Sequence, residues 1–191
     1  LHEAAARVRS LFDLRDDKAG LLEEIIRSQL ALPKAEEGEI ACYIGIPFCP
    51  SRCRYCSFLS REAGDGGMLP AYADALAREI GETAHLMRDY GLRARSVYFG
   101  GGTPTVLPPA LLEKVMAAAW PMIQSAREVT VEAGRPDSIT REKLRVIRDR
   151  GGTRLSVNPQ TFFDETLAAI GRKHTARQSE EALYLAREEG F

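Results

Sequence analysis

One hundred and ninety-one residues suit a single domain with enough chain for a sizeable core. Twenty-six basic residues against 27 acidic ones leave a formal net charge of −1, with no basic stripe to suit nucleic acid, and no apolar run approaches the roughly 18–20 residues of a membrane-spanning helix. Four cysteines without a signal-peptide hydrophobic stretch do not make a secreted disulfide framework, so the thiols point to the reducing cytosol and a cytoplasmic location.

Residues 1–32 are charged and rich in Ala and Leu, with Leu11, Leu14, Leu21, Leu22, Ile25, Ile26 and Leu30 at helical spacing. They predict one or two helices in a lead-in covering residues 1–38, broken from Pro33 to Gly38. The main domain is expected over residues 39–191. Ile40 to Ile46 is a continuous apolar run, consistent with a buried parallel strand. Cys42 lies within it and reads as a small buried thiol.

The loop 47–68 holds Cys49, Cys53 and Cys56, spaced C-x3-C-x2-C. Three thiolates in one short loop are ligands for an iron–sulfur cluster. A cubane 4Fe–4S cluster normally takes four, so one iron would lack a protein ligand, and an open position is where a metal site does chemistry. A structural zinc site is the alternative. It needs four ligands, usually as two separated pairs, whereas no second pair exists here and His2, His85 and His174 are scattered.

A helix is predicted over Leu69–Tyr90, capped by Gly91, then a strand over Ser96–Phe99. The strand runs into Gly100-Gly101-Gly102-Thr103-Pro104-Thr105, where glycines let a ligand approach backbone N–H and C=O groups left free to bond it. Pro108 and Pro109 open a helix to about Ala119. Glu128–Ala133 reads as a strand, Ile139–Arg150 as a helix, Arg154–Asn158 as a fourth strand, and 163–170 and 177–189 as helices. The chain starts without methionine and stops just after Gly190, where a strand is expected next, so it reads as a piece of a longer enzyme.

Four successive βα units argue an α/β fold with a parallel sheet and right-handed crossovers. Ligands in such sheets sit beyond the strands' C-terminal ends. Cys49–Cys56, Gly100–Thr105, Glu132 and Gln160 each follow or end a different predicted strand.

The cysteine spacing followed by Gly-Gly-Gly-Thr-Pro-Thr resembles the radical S-adenosylmethionine (SAM) superfamily. Tyr-Ile-Gly-Ile-Pro-Phe-Cys at 43–49 and Tyr-Phe-Gly-Gly-Gly-Thr-Pro-Thr at 98–105 narrow the resemblance to the oxygen-independent coproporphyrinogen III oxidase family. Val-Glu-Ala-Gly-Arg-Pro-Asp at 131–137, Asn-Pro-Gln-Thr at 158–161 and Ile-Gly-Arg-Lys-His-Thr at 170–175 look most like its HemZ-type branch. The resemblance spans roughly residues 40 to 180. It implies part of an incomplete barrel of six βα units, (βα)6, with an unfinished edge after the fourth unit.

It also implies roles. Cys49, Cys53 and Cys56 would bind three irons of a 4Fe–4S cluster, and the amino and carboxylate groups of SAM would chelate the fourth. Tyr55 matches an aromatic flanking the adenine; loop packing against the cluster is its other reading. Tyr43 matches an aromatic near SAM, with a barrel-lining core residue as the alternative. Gly101, Gly102 and Thr103 match the segment whose backbone bonds the SAM amino group. Glu132, a carboxylate ending an apolar strand, would meet SAM or else pair with a nearby arginine. Gln160 and Arg172 match contacts to the ribose and the SAM carboxylate, although Arg172 also reads as a surface charge. His174 and Arg154 read as structural. Gly45 stands where the wider family commonly has histidine, and Asn158-Pro159 where it commonly has Gly-Val.

The implied reaction is reductive cleavage of SAM to a 5′-deoxyadenosyl radical. Oxidative decarboxylation of coproporphyrinogen III propionates to vinyl groups follows, with a low-potential donor such as a flavodoxin supplying the electron. A haem-binding chaperone of the same family and a radical SAM enzyme acting on another substrate are the rival readings.

Overall fold

The structure, a computed structural model, describes residues 2–191; residue 1 of the predicted helical lead-in lies outside the described residues. Contacts divide the chain into two units, one ending at Glu36 and the other running from Glu37 to Phe191. In the first, helices α1 (His2–Phe12) and α2 (Asp16–Leu30) form a hairpin. Asp13 takes a left-handed φ of 48° at the turn, and Arg9 pairs with Asp16 across it at 2.7 Å.

The second unit is built on strands β1 (Glu39–Ile46), β4 (Arg93–Gly101), β5 (Glu128–Glu132) and β6 (Arg154–Ser156), all parallel and in the order β1-β4-β5-β6. Each strand lies beside its predecessor, the arrangement of a barrel wall. The intervening helices are α3 (Leu69–Asp89), α4 (Pro109–Ala118), α5 (Trp120–Ile123) and α6 (Arg141–Asp149). After β6 come α7 (Asp164–Ala169) and α8 (Ala176–Glu188). Short 3-10 turns at Pro104–Val106 and Pro136–Ser138 follow β4 and β5.

The two faces of the sheet differ in chemistry. Ile44, Ile46, Val97, Phe99, Val129 and Val131 are buried and form one core with Ile80, Leu112, Val115 and Ile147 from α3, α4 and α6. Cys42 packs at the margin of this core, 4.0 Å from the Met87 sulfur, and burial pushes its thiol pKa up. Alternation along the strands sends Tyr43, Gly45, Tyr98, Gly100, Thr130, Glu132, Arg154 and Ser156 to the opposite face. That face is polar and aromatic.

The second strand is longer than predicted: β4 runs through Gly100 and Gly101, which pair with Gly45 and Ile46. The fourth is shorter and ends at Ser156. Inside the 47–68 loop, Phe48–Cys49 (β2) and Arg61–Glu62 (β3) pair in parallel. Two-residue strands carry no alternation that a sequence pattern can detect. Beyond the strand ends, Thr105 Oγ1 and Ser138 Oγ lie 2.6 Å apart, and the Lys143 ammonium donates to the carbonyls of Thr105 (2.5 Å) and Ser138 (2.9 Å). These bonds tie the turns after β4 and β5 to α6. Among the described residues, no helix is long and apolar enough to cross a membrane.

Candidate functional site

The glycine segment is pressed against the start of the cysteine loop. Gly102 N–H donates to the Ile46 carbonyl (2.9 Å) and Thr103 N–H to that of Phe48 (2.8 Å). A Cβ on Gly102 would lie 2.5 Å from the Phe48 oxygen and 2.9 Å from Cys49 Sγ, and only glycine fits so close an approach. Gly101, at φ 109°, passes near Ile46, where a Cβ would meet backbone oxygen at 3.0 Å. The expectation of free backbone N–H groups therefore needs correction. Those of Gly102 and Thr103 serve the fold, because the glycines let two backbone segments touch. The Gly102 carbonyl accepts no hydrogen bond from the described residues and can accept one from a ligand. Thr103 is 1% exposed and its hydroxyl lies 3.5 Å from Cys49 Sγ.

All four cysteines are free, and Cys49, Cys53 and Cys56 are half-buried. Among the described residues, no three His, Cys, Asp or Glu side chains gather closely enough to hold a single metal ion. The fit to a cluster rests on chemistry: three thiols in one loop, with no carboxylate or imidazole between them, form a soft donor set suited to iron and sulfide. The loop is anchored on several sides. Arg52 N–H donates to Glu62 (2.9 Å), Arg54 N–H to the Ile170 carbonyl (3.0 Å), and Ala63 N–H to that of Cys49 (2.9 Å).

Arg172 joins the loop to the end of β5. Its Nε and Nη2 donate to the Tyr55 hydroxyl at 3.3 and 3.1 Å, and its Nη1 to the Gly134 carbonyl at 3.2 Å. It is half-buried and engaged, which separates it from an ordinary surface charge. Tyr55 remains 53% exposed, with its ring available to a ligand.

Across the open sheet face, Tyr43 stacks on Tyr98, ring centroids 5.7 Å apart and planes 9° from parallel. Tyr43 is 61% exposed, so it is not a core residue. Partial burial, then the nearby Glu132 charge, raise the hydroxyl pKa of both tyrosines. Glu132 itself makes no hydrogen bond or ion pair with any described residue, so the expected alternative of an arginine partner is not realised. Arg154 sits opposite Glu128 instead, at 3.4 Å.

Gln160 has φ 65°, one of two non-glycine residues in the left-handed region among the described residues. That conformation costs an ordinary L-residue roughly 1–2 kcal/mol and tends to persist at functional sites. The turn holding it is supported by His174, which is 2% exposed and places Nε2 3.2 Å from the Pro159 carbonyl. Burial lowers the His174 pKa, favouring the neutral ring. Nearby, Ser156 Oγ donates to Asn158 Oδ1 (2.8 Å).

One charged residue of this region has no counterpart in the sequence-based assignments. Arg135 is 2% exposed and forks onto Asp137, with Nε–Oδ1 and Nη2–Oδ2 both 2.9 Å. Burial alone would raise the Asp137 pKa, but the bond and charge of Arg135 outweigh it and hold the carboxyl below its usual value. An arginine before proline in a loop reads as a solvated charge, so sequence pattern carried no signal of its burial. A cavity of about 410 Å³ takes in Tyr43, Gly45 and Tyr72 but none of the loop cysteines.

The parallel α/β fold is shared with known proteins. The family model of the radical SAM superfamily matches residues 43–191. The chain is 38% identical over 197 residues to the oxygen-independent coproporphyrinogen-III oxidase-like protein HemZ of Bacillus subtilis, covering 99% of this chain and 39% of that protein. It is 35% identical over 150 residues to the heme chaperone HemW of Synechocystis, covering 75% of this chain and 35% of that one. Among solved structures, coproporphyrinogen III oxidase (HemN) from Escherichia coli, a radical SAM enzyme, superposes with a TM-score of 0.68 at 29% identity, over 79% of this chain and 35% of that chain. The chain thus spans less than two fifths of the length of each of these relatives.

Proposed function

The chain belongs to the radical SAM superfamily, and from that premise we propose that it carries the cluster and SAM site of an enzyme that oxidatively decarboxylates coproporphyrinogen III. The observation that carries the reading is the junction of Gly102 with Cys49. Two segments distant in sequence meet so closely that a single Cβ would drive them apart. Cys49, Cys53 and Cys56 would hold a 4Fe–4S cluster, and Tyr43, Tyr55, Gly101, Gly102, Thr103, Glu132, Gln160 and Arg172 would hold SAM. When bound, the cluster and SAM supply reductive cleavage of a carbon–sulfur bond, yielding methionine and a 5′-deoxyadenosyl radical.

The chain's own residues bind and orient. The Gly102 carbonyl accepts from the SAM amino group, and Glu132 accepts from ligand hydroxyls. Gln160 presents its amide toward the ribose from a preset turn. Arg172, fixed by Tyr55 and Gly134, directs its guanidinium to the carboxylate. The stacked Tyr43 and Tyr98 offer an aromatic wall that keeps water from the reacting atoms. Each of two propionate side chains would give one hydrogen atom to a 5′-deoxyadenosyl radical and lose carbon dioxide and one electron, the electron passing to an external acceptor, so that two such events leave the two vinyl groups of protoporphyrinogen IX. A low-potential donor such as a flavodoxin supplies the electron in the cytoplasm.

The likeness to HemW favours one second reading, a haem-binding chaperone. The test is anaerobic reconstitution with iron and sulfide, followed by SAM, a strong reductant and coproporphyrinogen III. Mass spectrometry is expected to find decarboxylated porphyrinogen together with 5′-deoxyadenosine. Formation of 5′-deoxyadenosine with the porphyrinogen untouched overturns the substrate assignment. Tight haem binding in the same preparation then establishes the chaperone.

A further inference from the structure

Arg135 is a buried cation with three distinct attachments. Burying a guanidinium costs several kcal/mol unless every donor finds a partner. Asp137 takes Nε and Nη2 in a planar fork. The remaining Nη1 crosses to the cysteine loop, donating to the Ser51 hydroxyl at 3.0 Å and the Ser51 carbonyl at 3.3 Å, and approaching Cys53 Sγ at 3.9 Å. Ser51 is itself buried, at 6% exposure. The fork is set by the turn after β5, so the end of one strand grips the loop that follows another.

We propose that Arg135, oriented by Asp137, is a positioning residue that fixes the Ser51–Cys53 limb of the cysteine loop and sets a buried positive charge against the Cys53 sulfur. The inference rests on the reading of Cys49, Cys53 and Cys56 as cluster ligands. Its physics is direct. Little water lies between a buried charge and a neighbouring thiolate, so screening is weak. A cation there stabilises the more negative, reduced state of a cluster, and hydrogen bonds to ligand sulfur act in the same direction. Lysine is not equivalent, because a point charge cannot fill the Asp137 fork and reach Ser51 together.

The test compares the wild-type chain with Arg135→Gln, Arg135→Lys and Asp137→Asn. Iron and sulfide per chain are measured after anaerobic reconstitution, and the cluster midpoint potential by a titration followed by electron paramagnetic resonance. Hydrogen exchange across residues 51–57 is measured in the iron-free chain. Arg135→Gln is expected to speed that exchange on the order of tenfold, the loss of a charged hydrogen bond, and to shift the midpoint to a more negative potential. Asp137→Asn is expected to shift it the opposite way, because it removes the anion that offsets Arg135. A merely structural role would not produce opposite signs. Arg135→Lys is expected to restore much of the potential but not the protection of the loop; should Arg135→Gln not fold, Arg135→Lys carries the exchange measurement and Asp137→Asn the potential. Midpoints equal to wild type in the charge-altering variants overturn the inference and leave the cluster reading intact. A wild-type chain that takes up no iron overturns both.

Discussion

A methyl group added at Gly102 would sit 2.5 Å from the Phe48 carbonyl oxygen and 2.9 Å from Cys49 Sγ. The nearer neighbour is backbone oxygen, which no side-chain rotation can clear, so backbone must move. Overpacking of this kind costs roughly 1–3 kcal/mol. Gly102→Ala is therefore expected to lower Tm by several degrees, and to reduce iron uptake as well, because the atoms displaced include a proposed ligand. Gln160 makes the opposite case. Its left-handed backbone would suit glycine, and relief of about 1–2 kcal/mol of strain offsets the extra chain entropy that glycine loses on folding. Gln160→Gly is expected to leave Tm unchanged or slightly raised while weakening SAM binding, as calorimetry of the two proteins would measure. The residue type at 160 was legible in the sequence as a candidate contact; its backbone strain was not, since nothing in Asn-Pro-Gln-Thr specifies a positive φ.

Among the elements, long periodic segments were the legible ones. The strand expected over Ile40–Ile46 and the helix expected over Leu69–Tyr90 lie within a residue of β1 and α3, because an unbroken apolar run and a 3.6-residue stripe each specify one geometry. The β2–β3 pair and the buried Arg135 were illegible, since both depend on contacts between segments distant in sequence. The join between α6 and α8 is of that kind too. Glu189, whose side chain is 4% exposed, receives Arg141 at 2.6 Å, Arg148 at 3.0 Å and Arg145 at 3.2 Å. The Arg141 hydrogen bond, ahead of the opposing effect of burial, holds the Glu189 pKa below the usual 4.5. A carboxyl whose folded pKa is depressed adds stability above its unfolded pKa and loses it as pH falls through the folded value. Glu189→Gln is thus expected to lower Tm near neutral pH, with the gap from wild type closing below about pH 4.5. Thermal unfolding across roughly pH 2–7, which brackets a carboxylate's range, would measure it.

At the scale of the molecule, the sheet separates stability from chemistry. One face is apolar and covered by helices, with Phe99 fully buried at its centre. The other holds Tyr43, Tyr98 and a Glu132 that no described residue partners. Glu132 is half-buried, so the protein tolerates its charge without a partner and leaves it free to meet a ligand. The two faces should therefore respond oppositely to substitution. Phe99→Ala removes core volume and is expected to cost about 3–5 kcal/mol, a loss of stability at a site with no proposed ligand contact. Glu132→Gln keeps the shape and removes only the charge. It is expected to leave Tm within the small range of substitutions that break no protein contact, while SAM affinity falls roughly ten- to hundredfold, the worth of a charged hydrogen bond. Thermal unfolding with and without SAM separates the cases: Glu132→Gln should match wild type without the ligand and lose most of the stabilisation that the ligand confers. A marked loss of Tm without SAM would instead place Glu132 in the fold, and remove it from the site.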